Sequence, residues 1–197
     1  MEIIVMNPLS QAAVFLIQLV GGLFSMVLWL RLLMQYSHAN WHNPISQLVI
    51  RLTEPCLKPL RKGVPGFAGI DFSIILLVLL VQLAQVVCVF LVSQGYFPAL
   101  LGWCVWSVAS SLQGLKSLLF ILVIIGAIAS WVPSLSNSPF ILIIGEVTLP
   151  FYRWAQKITP RFSGIDLSPL VIIVVLTLID ILFISPFVQF GMNYSLR

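Results

Sequence analysis

Lys116 and Asp180 each interrupt an otherwise apolar run, Ser110 to Trp131 and Leu167 to Gly191 respectively. A charge at such depth in lipid is costly, so it must face protein or a wet cavity. Asp180 stands about 12 residues into its run, roughly 18 Å along a helix that rises about 1.5 Å per residue. Lys116 stands roughly 23 Å from the corresponding end of its own run by the same rise. The two depths differ by about 5 Å, within the reach of a lysine stem, which predicts a Lys116 to Asp180 ion pair. Gln18, Gln82, Gln85 and Gln113 are the polar residues placed to neighbour it. Two chemistries fit such a stripe: interhelical contacts of about 0.6 to 2 kcal/mol each that hold a bundle together, or passage of an ion or proton.

The remaining reactive residue types form no site. His38 and His42 are four apart, a spacing that can put two imidazoles on one helix face for a metal, but Asn43-Pro44 follows at once and makes a loop the expected setting. Cys56, Cys88 and Cys104 are scattered, with no C-x-x-C pair, and read as reduced or lipid-buried thiols. The apolar runs hold no histidine to ligate haem, and neither a nucleophile with a base, nor a phosphate loop, nor a ligand cluster is visible. No enzymatic activity, cofactor or metal is therefore expected.

The elements that position these residues follow from composition. Of 197 residues 60% are hydrophobic and 8% charged, with a mean hydropathy of +1.08. One water-soluble core cannot hide that excess, and the composition excludes a disordered chain, a disulfide scaffold and a nucleic-acid-binding module. Apolar runs cover about Gln11 to Tyr36, Phe72 to Ser93, Ser110 to Trp131 and Leu167 to Gly191, each long enough to cross a hydrocarbon layer about 30 Å thick. The tail Met1 to Ser10 lacks the basic n-region of a signal peptide, so the first span is expected to stay in the mature protein. Cutting Phe97 to Val132 at Lys116 would give five spans, but it would put the two basic loops on opposite faces.

Those loops carry Arg51, Lys58, Arg61 and Lys62 between the first two spans and Arg153, Lys157 and Arg161 between the last two. The connection from Ser93 to Ala109 has no basic residue. Positive residues in short loops stay cytoplasmic, so both basic loops should face inward and both termini outward.

The sequence contains itself twice. Shifted by 95 residues, Thr53, Pro55, Lys62, Gly69, Asp71 and Ser73 fall on Thr148, Pro150, Lys157, Gly164, Asp166 and Ser168. The expected units are 1–95 and 96–197, each a span, a basic loop and a span, and the even span number makes them parallel rather than inverted repeats. The shift also lays Asp180 on Gln85 and Thr177 on Gln82, so the second and fourth spans each carry a polar pair at i, i+3. A twofold relation would turn those faces toward each other. Gln85 stands where a conducting path would want a second carboxylate, and Pro133 and Asn137 stand where the histidines are.

Within the first loop Gln47, Arg51, Glu54, Lys58 and Arg61 recur every three or four residues opposite Ile45, Leu48, Val49, Leu52, Cys56 and Leu60, the pattern of an amphipathic interfacial helix. The second loop repeats it with Glu146, Arg153 and Lys157 against Ile143, Ile144, Val147, Phe151 and Trp154. Pro55, Pro59 and Pro150 are expected to bend or break these helices. Gly69 and Gly164 suit the abrupt turn into the next span, and Asp71, Asp166 or Ser168 suits its helix cap, with Pro169 at the first helical position. Gly21-Gly22 and Gly126 suit close helix approach. Asp71 and Asp166, ringed by Arg61, Lys62, Lys157 and Arg161, would also form a cytoplasmic docking surface.

Two copies of a span, a loop with Thr-x-Pro, and Gly-Ile-Asp-[Phe/Leu]-Ser opening the next span resemble the YggT family over nearly the whole chain. The resemblance implies an all-α membrane protein of the bacterial inner membrane, with both termini periplasmic once the charge rule is applied. It also implies proposed roles in osmotic or potassium homeostasis, a link to division genes, and cytochrome-complex assembly in plastids. It brings no catalytic residues. The function expected is that of a non-enzymatic scaffold or assembly factor whose basic loops meet anionic headgroups or a protein partner, with homo-oligomers compatible with so thin a bundle. The alternative is a component of ion transport.

Overall fold

The computed structural model describes residues 7–64, 66, 69–135, 137–159 and 166–195. The predicted Gly164 and Arg161 lie outside them. Helix α1 (Pro8–Tyr36) starts where Asn7 Oδ1 accepts the Leu9 amide and Pro8 takes the first helical position. It stops at His38, whose φ of 54° turns the chain. Asn43 and Pro44 start α2 (Pro44–Leu60) in the same way. Asp71 caps α3 (Phe72–Gln94), which ends on Gly95 at φ 78°, the left-handed conformation that glycine adopts without penalty. Then come α4 (Leu100–Ser130) and α5 (Pro139–Ile158).

The last span runs from α6 (Ser168–Ile179) through a π-helical turn, Asp180–Ile184, into α7 (Ser185–Ser195). Proline has no amide hydrogen and its ring collides with the carbonyl four residues back. Pro186 therefore forces the preceding register open, and the Ser185 amide bonds five residues back to Asp180 O.

Four helices are long and apolar enough to cross a membrane: α1, α3, α4 and the α6–α7 span. The run from Phe97 to Val132 holds a single helix, with Lys116 inside it. Helix α4 starts ten residues before Ser110, because nothing in Leu100 to Ala109 interrupts helical hydrogen bonding.

Each half forms an antiparallel pair, α1 with α3 and α4 with the last span, and its loop helix packs on both members. Helices α2 and α5 also touch each other. Asn43 Nδ2 donates to Pro139 O at 2.8 Å, and the Asn40 amide donates to Glu146 at 2.9 Å. Both basic loops therefore lie at one end of the bundle, as parallel repeats require. Near that end one core draws Leu28 and Met34 from α1, Leu57 from α2, Ile74 and Val78 from α3, and Ile143 and Ile144 from α5, and a smaller one joins Val123, Ala155 and Ile172.

The repeat symmetry is not complete. Helix α4 packs against α3 as well as α1, and the Trp103 indole donates to Leu83 O at 2.9 Å. It thus intervenes between α3 and the last span, so the predicted meeting of their polar faces does not occur. Thr177 instead points outward and satisfies its hydroxyl on Ile173 O.

Two other expectations need correcting. Pro55, Pro59 and Pro150 do not break their helices, which run on through them; the residues one turn back, whose carbonyls a proline cannot reach with an amide, are the exposed or half-buried Arg51, Pro55 and Glu146. Close helix approach belongs to Gly102 and Gly191, where α4 meets α7 backbone to backbone, rather than to Gly22 or Gly126. Gly21 does leave room, but for the Gln85 side chain.

Candidate functional site

The repeated Thr-x-Pro element does the same work twice. Thr53 and Thr148 are buried, and each hydroxyl donates at 2.7 Å to the carbonyl four residues back, Val49 O and Ile144 O. Their helices bury one face, Ser46, Val49, Thr53 and Leu57 in α2 and Ile143, Ile144, Val147, Thr148 and Ala155 in α5. Leu48, Leu52 and Cys56 stay exposed as a second, apolar face of α2, where an interfacial helix meets lipid.

Beyond the loop, Gly69 adopts φ 80°. Asp71 Oδ1 accepts the Ser73 amide and Asp166 Oδ1 accepts the Ser168 amide, at 3.1 and 2.8 Å. Asp71 is therefore the cap of α3, whereas in the second repeat Leu167 holds the cap position, Asp166 meets the Ser168 amide from one residue earlier, and Ser168 begins its helix rather than capping it. Ser73 and Ser168 are both buried; Ser73 Oγ donates to Val64 O, whereas Ser168 Oγ has no hydrogen-bond partner among the described residues.

Around the first copy stands a charged network that the sequence reading missed. The Arg31 guanidinium, buried between α1 and α2, bonds Thr53 Oγ1 and Ile50 O and pairs with Glu54 at 2.5 Å. Glu54 also pairs with Arg61 at 2.9 Å, and Arg61 pairs with Asp71 at 2.7 Å. Arg61 is thus a structural tie from α2 to the start of α3 rather than a free surface charge. Arg51, Lys58, Lys62, Arg153 and Lys157 are exposed, and no ion pair is seen for them among the described residues.

In the second copy the Arg31, Glu54 and Arg61 positions are Gly126, Leu149 and Gln156, and Asp166 accepts a hydrogen bond from Gln156 at 3.3 Å. Burial raises the pKa of the neighbouring Tyr152, and the Asp166 charge adds to the shift.

The Arg31 hydrogen bond holds the Glu54 carboxyl below its ordinary value, opposed by burial and reinforced by the charges of Arg31 and Arg61. A carboxyl whose native pKa is depressed stabilises the fold above its unfolded pKa, and that contribution is lost as pH falls through the native value. The melting temperature in mild detergent should therefore drop below the ordinary carboxylate range of about pH 4. Glu54→Gln should lower it at pH 7 and flatten the acid drop. An unchanged acid slope in the variant would assign the drop to other groups.

Deeper in the bundle, Lys116 Nζ lies 2.9 Å from Asp180 Oδ2, with about a fifth of each side chain exposed. Asp180 Oδ1 is buried and has no hydrogen-bond partner among the described residues. Gln18, Gln82, Gln85 and Gln113 do converge, with Ser110, around a cavity of about 320 Å³. The ion pair is not among its walls. Gln82 reaches Ser25 Oγ at 3.4 Å, while the buried Gln85 Oε1 has no partner among the described residues. Among those residues no group of three or more His, Cys, Asp or Glu side chains is placed to hold a metal.

Comparison with known proteins agrees with this two-part build. The CCB3/YggT family model matches residues 10–92 and again 105–187. An uncharacterised protein of Pseudomonas aeruginosa is 33% identical over 181 residues, 91% of this chain and 92% of that protein. The uncharacterised protein YggT of Escherichia coli K12 is 32% identical over 178 residues, 89% and 88% of the two chains. No solved structure matches. With both halves matched by one family model at a constant offset, the chain belongs to the CCB3/YggT family.

Proposed function

We propose that this protein is a non-enzymatic scaffold or accessory factor of the inner membrane, working through its paired loop helices. The observation that supports this is the division of labour among its charges. Arg31, Glu54, Arg61 and Asp71 neutralise one another in pairs, whereas Arg51, Lys58, Lys62, Arg153 and Lys157 stand exposed on two helices fixed side by side and on the turn that follows the first. Under the positive-inside rule this face is cytoplasmic and both termini are periplasmic. Each such cation adds about 1 kcal/mol of attraction to an anionic surface, so the pair suits acidic headgroups and an acidic partner bound at the membrane.

The test replaces the five exposed cations by glutamine and keeps Arg61. Photo-crosslinkers placed at the exposed positions 47 and 154 should yield defined adducts in native membranes with the parent protein, and few with the variant. Equal adducts from both would refute the reading.

A second reading, a component of ion transport, rests on the π turn at Asp180 and the glutamine-lined cavity, since such turns recur at functional sites. Potassium flux into proteoliposomes that Asp180→Asn abolishes would put transport in place of scaffolding.

A further inference from the structure

The first repeat fills a cleft that the second leaves open. On the 95-residue shift Gly126 takes the place of Arg31 and Gly145 that of Ile50, while Thr148 and Asp166 keep Thr53 and Asp71. Where the Arg31 side chain lies in the first repeat, the second has a cavity of about 740 Å³ whose walls include Gly126, Gly145, Thr148, Tyr152 and Asp166. That volume falls among those of small-molecule sites, about 300 to 1,000 Å³.

The chemistry of the missing occupant can be read from the first repeat. There, a guanidinium pairs with Glu54, whose counterpart is Leu149, and donates to two neutral acceptors, the carbonyl of residue 50 and the Thr53 hydroxyl oxygen. Both acceptors survive as Gly145 O and Thr148 Oγ1, and Thr148 sends its own proton to Ile144 O just as Thr53 does to Val49 O. Its oxygen is therefore set to accept. Asp166 adds negative charge at the cavity wall.

Ser130 and Gln156 add polar groups to the lining, and its apolar part includes the exposed Trp131 and Leu170 at the ends of spans and Leu149 on α5. The depth is that of lipid headgroups, because α4 ends at Ser130 and α6 begins at Ser168. Such a site wants N–H donors on a positive group and an apolar body attached to it.

We propose that the second-repeat cleft binds the primary ammonium headgroup of an aminophospholipid, which takes the place that Arg31 fills in the first repeat. The ammonium donates to Gly145 O and Thr148 Oγ1, with the Asp166 carboxylate on the same cavity wall. A choline headgroup has the same charge and no N–H, so it cannot make those bonds.

The experiment measures which lipid stays with the whole protein, purified in neutral detergent and offered dioleoyl phosphatidylethanolamine, phosphatidylcholine and phosphatidylglycerol in equal amounts. Native mass spectrometry should show the ethanolamine lipid preferred over the choline lipid by about tenfold, the worth of a charge-assisted hydrogen bond. Gly126→Arg and, separately, Gly145→Ile install the residues of the first repeat and should abolish the preference. Both have room: a Cβ at Gly126 meets nothing nearer than 3.5 Å, and one at Gly145 nothing within 4 Å.

Equal retention of the two zwitterionic lipids, or a preference that survives both fillings, would overturn the proposal. So would binding of octylguanidinium without any binding of the ethanolamine lipid, since that outcome assigns the cleft to an arginine of another polypeptide. Neither filling variant touches the exposed loop cations, so failure here leaves the scaffold reading standing.

Discussion

Lys116→Met is expected to cost about 3 to 5 kcal/mol of stability, the penalty for stripping the partner from a largely buried charge. Asp180 has few alternatives: Oδ2 is held by Lys116 at 2.9 Å, and Oδ1 already lacks a hydrogen bond among the described residues. Asp180→Leu should be costly for the converse reason, because it leaves an ammonium on α4 facing an apolar helix. The double variant places a methionine against a leucine and removes both desolvation penalties, so it should be far more stable than the sum of the single losses indicates. Reversible unfolding in mixed micelles measures all three. A coupling of more than about 1 kcal/mol establishes the pair, and additive losses would show that the two charges do not sense each other. If the double variant also keeps the parent's cellular function, Lys116 and Asp180 are structural, and transport loses its intramembrane site.

Depth was legible in the sequence because a helix converts residue number into distance along one axis. That conversion is why spacing alone pairs Lys116 with Asp180, 64 positions apart in the chain. Lateral arrangement was not legible, since every span is apolar on most sides and hydropathy does not say which side meets which neighbour. The facing of Gln82 and Gln85 toward Thr177 and Asp180 fails for this reason: α4 intervenes, packed on α3 and joined to it by the Trp103 indole bond to Leu83 O, which no periodicity announces.

The Arg31 network had a signal that went unused. Arg31, Glu54 and Arg61 are charged in the first repeat, and their counterparts Gly126, Leu149 and Gln156 are all neutral in the second. Charges that vanish together from one copy of a duplication are candidates for mutual contact, and the structure joins these three directly. The π turn at Asp180 was likewise written in Pro186, which has no counterpart at Leu91 in the first repeat.

Gly191→Ala isolates the seam between α4 and α7. Alanine is a better helix former than glycine by about 1 kcal/mol, so a helical Gly→Ala change in open space should stabilise. Gly22 in α1 is such a position, with nothing within 4 Å of an added Cβ. At Gly191 the same Cβ would stand 2.5 Å from the Trp106 amide nitrogen and 2.7 Å from its Cα, atoms that cannot rotate aside. Relief requires moving one helix bodily. Ser195 Oγ, bonded to Gly191 O, and Ser195 O, which accepts the Ala99 amide, would move with it. Overpacking of this kind costs about 1 to 3 kcal/mol, and a bulkier Gly191→Leu should exceed that range. The two alanine variants should therefore shift the unfolding midpoint in opposite directions, Gly22→Ala upward and Gly191→Ala downward. A stabilised Gly191→Ala would mean that the α4 to α7 backbones lie farther apart than this packing places them, and that the seam is not what fixes the last span.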